Sequence, residues 1–66
     1  MRVTVNGQSR ELPDGATVQQ LLETLGVRLD AAAVEVNREI VSRSLHSATH
    51  LRDGDAVEIV TFVGGG

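Results

Sequence analysis

One stripe of leucines limits what this chain can become. Val18, Leu21, Leu22 and Leu25 fall at i, i+3, i+4 and i+7, a single apolar helical face. Thr17 and Gln20 stand at capping-box spacing at its start, and Gly26 follows at the position of a left-handed helix terminator. No other segment has this period. The rest of the chain alternates, so one helix must be covered by a sheet. Met1, Val3 and Val5 alternate with Arg2, Thr4 and Asn6, the pattern of a strand buried on one face. Asn6-Gly7 is a hairpin signal, because a type I′ turn needs positive φ at both central residues. The return through Gln8 to Leu12 is polar and reads as an edge strand, and Pro13-Asp14-Gly15 is a turn.

After a connection over 27–31, Ala32, Val34 and Val36 alternate with Ala33, Glu35 and Asn37 as a third strand. Ile40-Val41 after Asn37-Arg38-Glu39 is a tight return. Arg43 to His50 is polar and irregular, with room for one helical turn, and Asp53-Gly54-Asp55 is a second turn. The last strand is expected over 56–63, with Val57, Ile59, Thr61 and Val63 on one face and Ala56, Glu58, Val60 and Phe62 on the other. The first and last strands are the most apolar and belong inside the sheet. The expected fold is α+β: one main helix on one face of a mixed sheet of four to five strands.

With 66 residues the chain is one small domain, and a domain of this size buries only about 60% of its unfolded surface. The expected division is a globular unit over 1–63 and a flexible glycine tail over 64–66. No apolar run reaches membrane-spanning length, and no signal peptide is visible. Cysteine is absent, which for so small a domain favours the cytoplasm over a disulfide-stapled secreted form. It also removes any thiolate nucleophile, persulfide carrier or thiolate metal ligand. The net charge is −3, with six arginines, no lysine and one aromatic residue. That balance argues against nucleic acid, whose phosphates need a basic patch.

The chain ends Phe62-Val63-Gly64-Gly65-Gly66. Three extended glycines reach roughly 10 Å at 3.3–3.6 Å per residue, and they thread where side chains would clash. The tail can place the Gly66 carboxylate inside a partner's active site while the globule stays outside. The competing reading is a frayed end or a cloning scar. Val60 and Phe62, beside the tail and opposite the Val57/Ile59 face, are expected to be exposed and to dock a partner. The alternatives are a covering by the 43–50 loop or a one-residue slip of parity at a bulge. His46 and His50 stand at i, i+4, but two ligands make a weak metal site, and both read as solvated loop histidines. Asp53 and Asp55 read as turn residues. Ser44, His46 and Asp53 form no arguable triad, so no catalytic residue and no metal site are assigned.

Several segments, in order, resemble one family: Val5-Asn6-Gly7, Thr17 to Leu22, Val36 to Arg43, Leu51 to Ile59 and the glycine end. Across essentially its whole length the chain is similar to the sulfur carriers of thiamine biosynthesis, which are ubiquitin-like β-grasp proteins. Two departures stand out. Ser42 occupies a position where the family often has proline, and three glycines end the chain instead of two. The resemblance implies a carrier that is itself no enzyme and binds no cofactor. An E1-like adenylating enzyme would use ATP and Mg²⁺ to make an acyl-adenylate at Gly66, with Gly64 and Gly65 threaded through its channel. A persulfide donor, such as a cysteine desulfurase, would then leave a thiocarboxylate, and thiazole synthase would take the sulfur. Rival readings are a carrier for tRNA thiolation or molybdopterin synthesis, a ubiquitin-like modifier, or a β-grasp domain that only binds. The molybdopterin carrier is usually longer.

Overall fold

The computed structural model describes residues 1–62; Val63 and the expected tail over 64–66 lie outside the described residues. Strand β1 (Arg2–Val5) and β2 (Gln8–Glu11) form the first hairpin, followed by helix α1 (Val18–Thr24). A 3₁₀ turn (Leu29–Ala31) leads into β3 (Ala32–Val36), which turns into β4 (Glu39–Val41). A second 3₁₀ turn (Arg43–Leu45) precedes β5 (Ala56–Thr61). The five strands make one sheet in the order β2-β1-β5-β3-β4. It is mixed: β5 runs parallel to β1 and antiparallel to β3, while both hairpins are antiparallel. The last strand in sequence is thus the middle strand in space.

The first turn forms as the sequence requires. Val5 pairs with Gln8 across a two-residue loop, with φ of 49° at Asn6 and 83° at Gly7. Asn37 and Arg38, with φ of 52° and 69°, make a second such turn between β3 and β4. Asn-Arg is not a strong hairpin pair, so sequence alone marks only a tight return there. Its left-handed backbone is held by tertiary bonds. Asn37 N–H donates to the Ala56 carbonyl at 2.8 Å, and its side-chain oxygen accepts from Ala56 N–H at 3.0 Å. Asn6 does the equivalent on the other flank of β5. Its side-chain oxygen accepts from Ile59 N–H at 2.8 Å, and its amide donates to the Ile59 carbonyl at 3.1 Å. Each asparagine therefore extends a β5 ladder beyond the last paired residue of its neighbour strand.

Helix α1 is seven residues long, too short to persist alone. Its four free N-terminal donors are all satisfied. Val18 N–H reaches the Thr49 carbonyl and Gln19 N–H the His46 carbonyl. Gln20 N–H bonds the Thr17 hydroxyl, and the Thr17 N–H is taken by the Gln20 side chain. At the other end Gly26, at φ 70°, donates to Glu23 and Val27 donates to Leu22, a Schellman motif. Val18, Leu21 and Leu22 are fully buried against Val3, Val34 and Val57 in one core. Ser42, where the resembled family often has proline, has φ −62°, a value proline itself adopts.

The region over 43–50 corrects one expectation. His46 is not a solvated loop residue; it is 4% exposed, with Nε2 3.2 Å from the Val41 carbonyl. The carbonyl can only accept, which places the ring proton on Nε2. The chain here must turn inward because its carbonyls cap α1. His50 is exposed, with Nδ1 2.9 Å from the Gly15 carbonyl.

Replacing Asn6 or Asn37 by alanine should cost about 2 kcal/mol or more each, from lost bonds to β5 plus a left-handed backbone without asparagine. Urea denaturation checks this. A change below about 0.5 kcal/mol would show that the side-chain bonds to β5 carry no net stability.

Candidate functional site

His46 faces inward and His50 outward, so they share no ligand site, and among the described residues no group of three or more His, Cys, Asp or Glu is placed to hold a metal. Asp53 accepts from Arg2 N–H at 2.7 Å. Asp55 accepts from Arg52 N–H at 2.8 Å and from the Asn37 amide at 3.0 Å. These carboxylates close turns. Among the described residues the Asp30 carboxyl is held below its ordinary range by hydrogen bonding and charge from Arg28 at 3.0 Å. It is exposed. A groove of about 380 Å³ between β4 and the 43–50 loop lies toward the end of the sheet where β5 begins, away from Phe62.

What the fold does build is a base for the tail. Strand β5 is paired with β3 through Thr61, which lies opposite Ala32. Phe62 N–H then donates to the Ala31 carbonyl at 2.7 Å, so the backbone is anchored through Phe62, the last described residue. Ala31 sits in the 3₁₀ turn that follows the Schellman terminus of α1.

Strand parity is as the alternation predicts. Val57 and Ile59 are buried under α1, while Val60 and Phe62 are 59% and 62% exposed. Neither the 43–50 loop nor a bulge removes them from solvent. The sheet face away from the helix carries Ala33 opposite Val60, Glu35 opposite Glu58, and Ile40 opposite Glu35. Ile40 is 81% exposed. Sequence reasoning did not single out Ile40, because a two-residue apolar run carries no face information until its register is known. Gly64, Gly65 and Gly66, assigned to threading and modification, lie outside the described residues.

A mixed sheet wrapped on one short helix, with the last strand at its centre and an apolar face beside the exit of the chain, defines a ubiquitin-like β-grasp protein. The chain belongs to the ThiS family, the sulfur carriers of thiamine biosynthesis, whose match covers residues 3–66 and so includes the glycine end. A thiamine biosynthesis protein (ThiS) from Geobacter metallireducens, seen in a crystal structure, is 39% identical. It superposes with a TM-score of 0.84, covering 100% of both chains. The sulfur carrier protein ThiS of Thermus thermophilus is 41% identical over 64 residues, 97% of this chain and 98% of that protein. A thiazole synthase of Paramagnetospirillum magneticum contains a stretch 44% identical over 66 residues. All of this chain is matched there, yet it spans only 20% of that enzyme's length. No helix among the described residues is long and apolar enough to cross a membrane.

Because Val60 and Phe62 are exposed, Val60→Asp and Phe62→Asp should each change stability by less than about 0.5 kcal/mol. A thermal melt checks this; loss of the folding transition in Phe62→Asp would place the ring in the core.

Proposed function

We propose that the chain carries sulfur on its own C-terminus for thiazole formation in thiamine biosynthesis, and that it supplies no catalytic side chain. The observation that carries this reading is the family match through residue 66, glycines included, on a chain with no cysteine. Sulfur then has no plausible seat except the terminal carbonyl. A terminal carboxylate, with a pKa near 3.5, is ionised at neutral pH and resists nucleophiles, so it must first be activated. An adenylating enzyme joins a carboxylate oxygen of Gly66 to the α-phosphorus of ATP, and pyrophosphate leaves with Mg²⁺. The terminal sulfur of a persulfide attacks the acyl carbon and AMP leaves. A thiol then attacks the donor's sulfur in that acyl disulfide, forms a new disulfide with the donor and gives up its proton, and the terminal sulfur leaves with the electron pair as the thiocarboxylate. Positioning and charge stabilisation come from the partner.

Thiazole synthase is the proposed acceptor. The supporting observation is that a chain named thiazole synthase contains a stretch similar to this whole chain. Val60 and Phe62 are the proposed docking residues. They lie on the exposed face beside the tail, and an apolar anchor at an interface centre is worth about 2 kcal/mol or more. Their change to Asp should weaken activation with the fold retained. Gly65 and Gly66 are the proposed functional pair, with Gly64 a spacer. A β-carbon at Gly65 would meet a confined channel close to the reacting carbon.

The test is to incubate the chain with ATP, an adenylating enzyme and a persulfide source, and to measure intact mass. One oxygen exchanged for sulfur, mapped by fragmentation to Gly66, is expected. Adducts on other proteins would instead support a modifier, and an unchanged mass a domain that only binds. Gly64→Ala should have little effect on adenylation and Gly65→Ala a large one. A chain lacking Gly66 should adenylate weakly, because its carboxylate stops about 3.5 Å short. If the shortened chain reacts as well as the full one, the functional terminus is Gly65.

A further inference from the structure

All six basic residues of this chain, histidines aside, are arginine. Two of them stand where β5 ends. Phe62 N–H donates to the Ala31 carbonyl, and Ala31 N–H donates to the Arg28 carbonyl at 3.1 Å. Arg28 is thus one hydrogen-bonded turn from the last described residue. Its guanidinium grips Asp30 with two bonds, Nε to Oδ1 at 3.2 Å and Nη2 to Oδ2 at 3.0 Å. Arg43 reaches this end from β4. Val41 lies opposite Val34, so β4 runs toward the Ala32–Thr61 pair and Arg43 follows it there. The charge of Arg43 acts on Asp30 as well. It stands two strands from β5, roughly 10 Å at about 4.8 Å per strand. Both arginines are exposed. Beyond Phe62 four residues remain, Val63 to Gly66. They span at most about 14 Å, so positions 28 and 43 fall within reach of the Gly66 carbonyl.

We infer that Arg28 and Arg43 protect the activated terminus: they supply positive charge at the strand end without an amine that the acyl group could modify. The inference rests on the carrier reading above. An activated acyl carbon is open to nitrogen nucleophiles as well as to sulfur. A lysine nitrogen would bond that carbon, the leaving group would depart with the electron pair, and the nitrogen would release its proton to solvent. The product is a lactam, a chain that carries no sulfur. Tethering makes such a reaction effective, because a linked group acts at about millimolar concentration. A lysine of pKa near 10.4 frees roughly 1% of its amine at about pH 8.5. A guanidinium stays protonated and its charge is delocalised, so it does not compete. The Met1 amine lies out of reach. It donates to the Leu12 carbonyl at 2.7 Å and pairs with Asp14 at 3.2 Å. It precedes Thr4, which stands beside Ala56 at the far end of β5, by three residues. That places it about 30 Å from Phe62 at roughly 3.3 Å per residue. The two arginines are therefore specificity determinants, reserving the acyl group for sulfur.

The test uses the full chain prepared as a thioester at Gly66 by thiol cleavage of an intein fusion, with no adenylating enzyme present. The parent, Arg28→Lys, Arg43→Lys, Arg28→Gln and Arg10→Lys are held at low micromolar concentration at about pH 8.5 and followed by intact mass. Arg10 is the distance control. It is exposed on β2 opposite Val3, two strands from β5 and about 23 Å from Phe62 along the strand direction. Arg28→Lys and Arg43→Lys should each give the lactam as the main product, one water lighter than the hydrolysed chain. Fragmentation should map the crosslink from Gly66 to position 28 or 43. The parent, Arg28→Gln and Arg10→Lys should only hydrolyse. Hydrolysis alone in both Arg28→Lys and Arg43→Lys would overturn the inference and leave the carrier reading standing, because no activation step enters the assay. Equal cyclisation of Arg10→Lys would also overturn it, since nearness to the strand end would then not matter. A parent chain whose mass is unchanged by ATP, an adenylating enzyme and a persulfide source would overturn the carrier reading, and this inference with it.

Discussion

The structure depends on the pairing of β5 along both its edges. Its backbone bonds β1 on one side and β3 on the other, and Asn6 and Asn37 extend those ladders from two separate turns. The sheet order makes β5 the only bridge between the two hairpins. Without it, each hairpin would be a two-stranded ribbon, which is at best marginally stable in water. The last strand to be made is thus the one that joins the rest. The same pairing holds the chain through Thr61 and the Phe62 amide, as far as the described residues reach.

The helix shows a second dependence. Seven residues cannot hold a helix by propensity, and its stability comes from burial of Val18, Leu21 and Leu22 and from satisfied ends. Two of its N-terminal donors are capped by carbonyls of residues 46 and 49, from a segment with little regular structure of its own. That segment is ordered because the helix needs acceptors there, and His46 is buried as a consequence. A polar stretch with no periodicity thus becomes part of the core boundary.

Function in this protein is a matter of placement. Among the described residues no group of three or more His, Cys, Asp or Glu is placed to hold a metal, and the chemistry proposed for Gly66 belongs to partners. What the fold contributes is a rigid β5, an exit at its end, and an uncovered face beside that exit. The face combines the exposed side chains of Ile40, Val60 and Phe62 with Glu35 opposite Glu58, and exposed apolar patches mark partner sites.

Local features were readable without coordinates. The Asn6-Gly7 turn, the capping box and glycine terminus of α1, the third strand over 32–36 and the inside–outside parity of β5 all follow from residues within a turn or a few positions of one another. The exposure of Val60 and Phe62 follows from that parity. Tertiary structure alone decided the strand order, the bonds of Asn6 and Asn37 to β5, the burial of His46 and the juxtaposition of Glu35 with Glu58. Those depend on register between segments 19 to 53 residues apart in sequence. Period-2 alternation tells which face a residue occupies but not which strand lies beside it, and a register is set only when the whole apolar face closes over one helix.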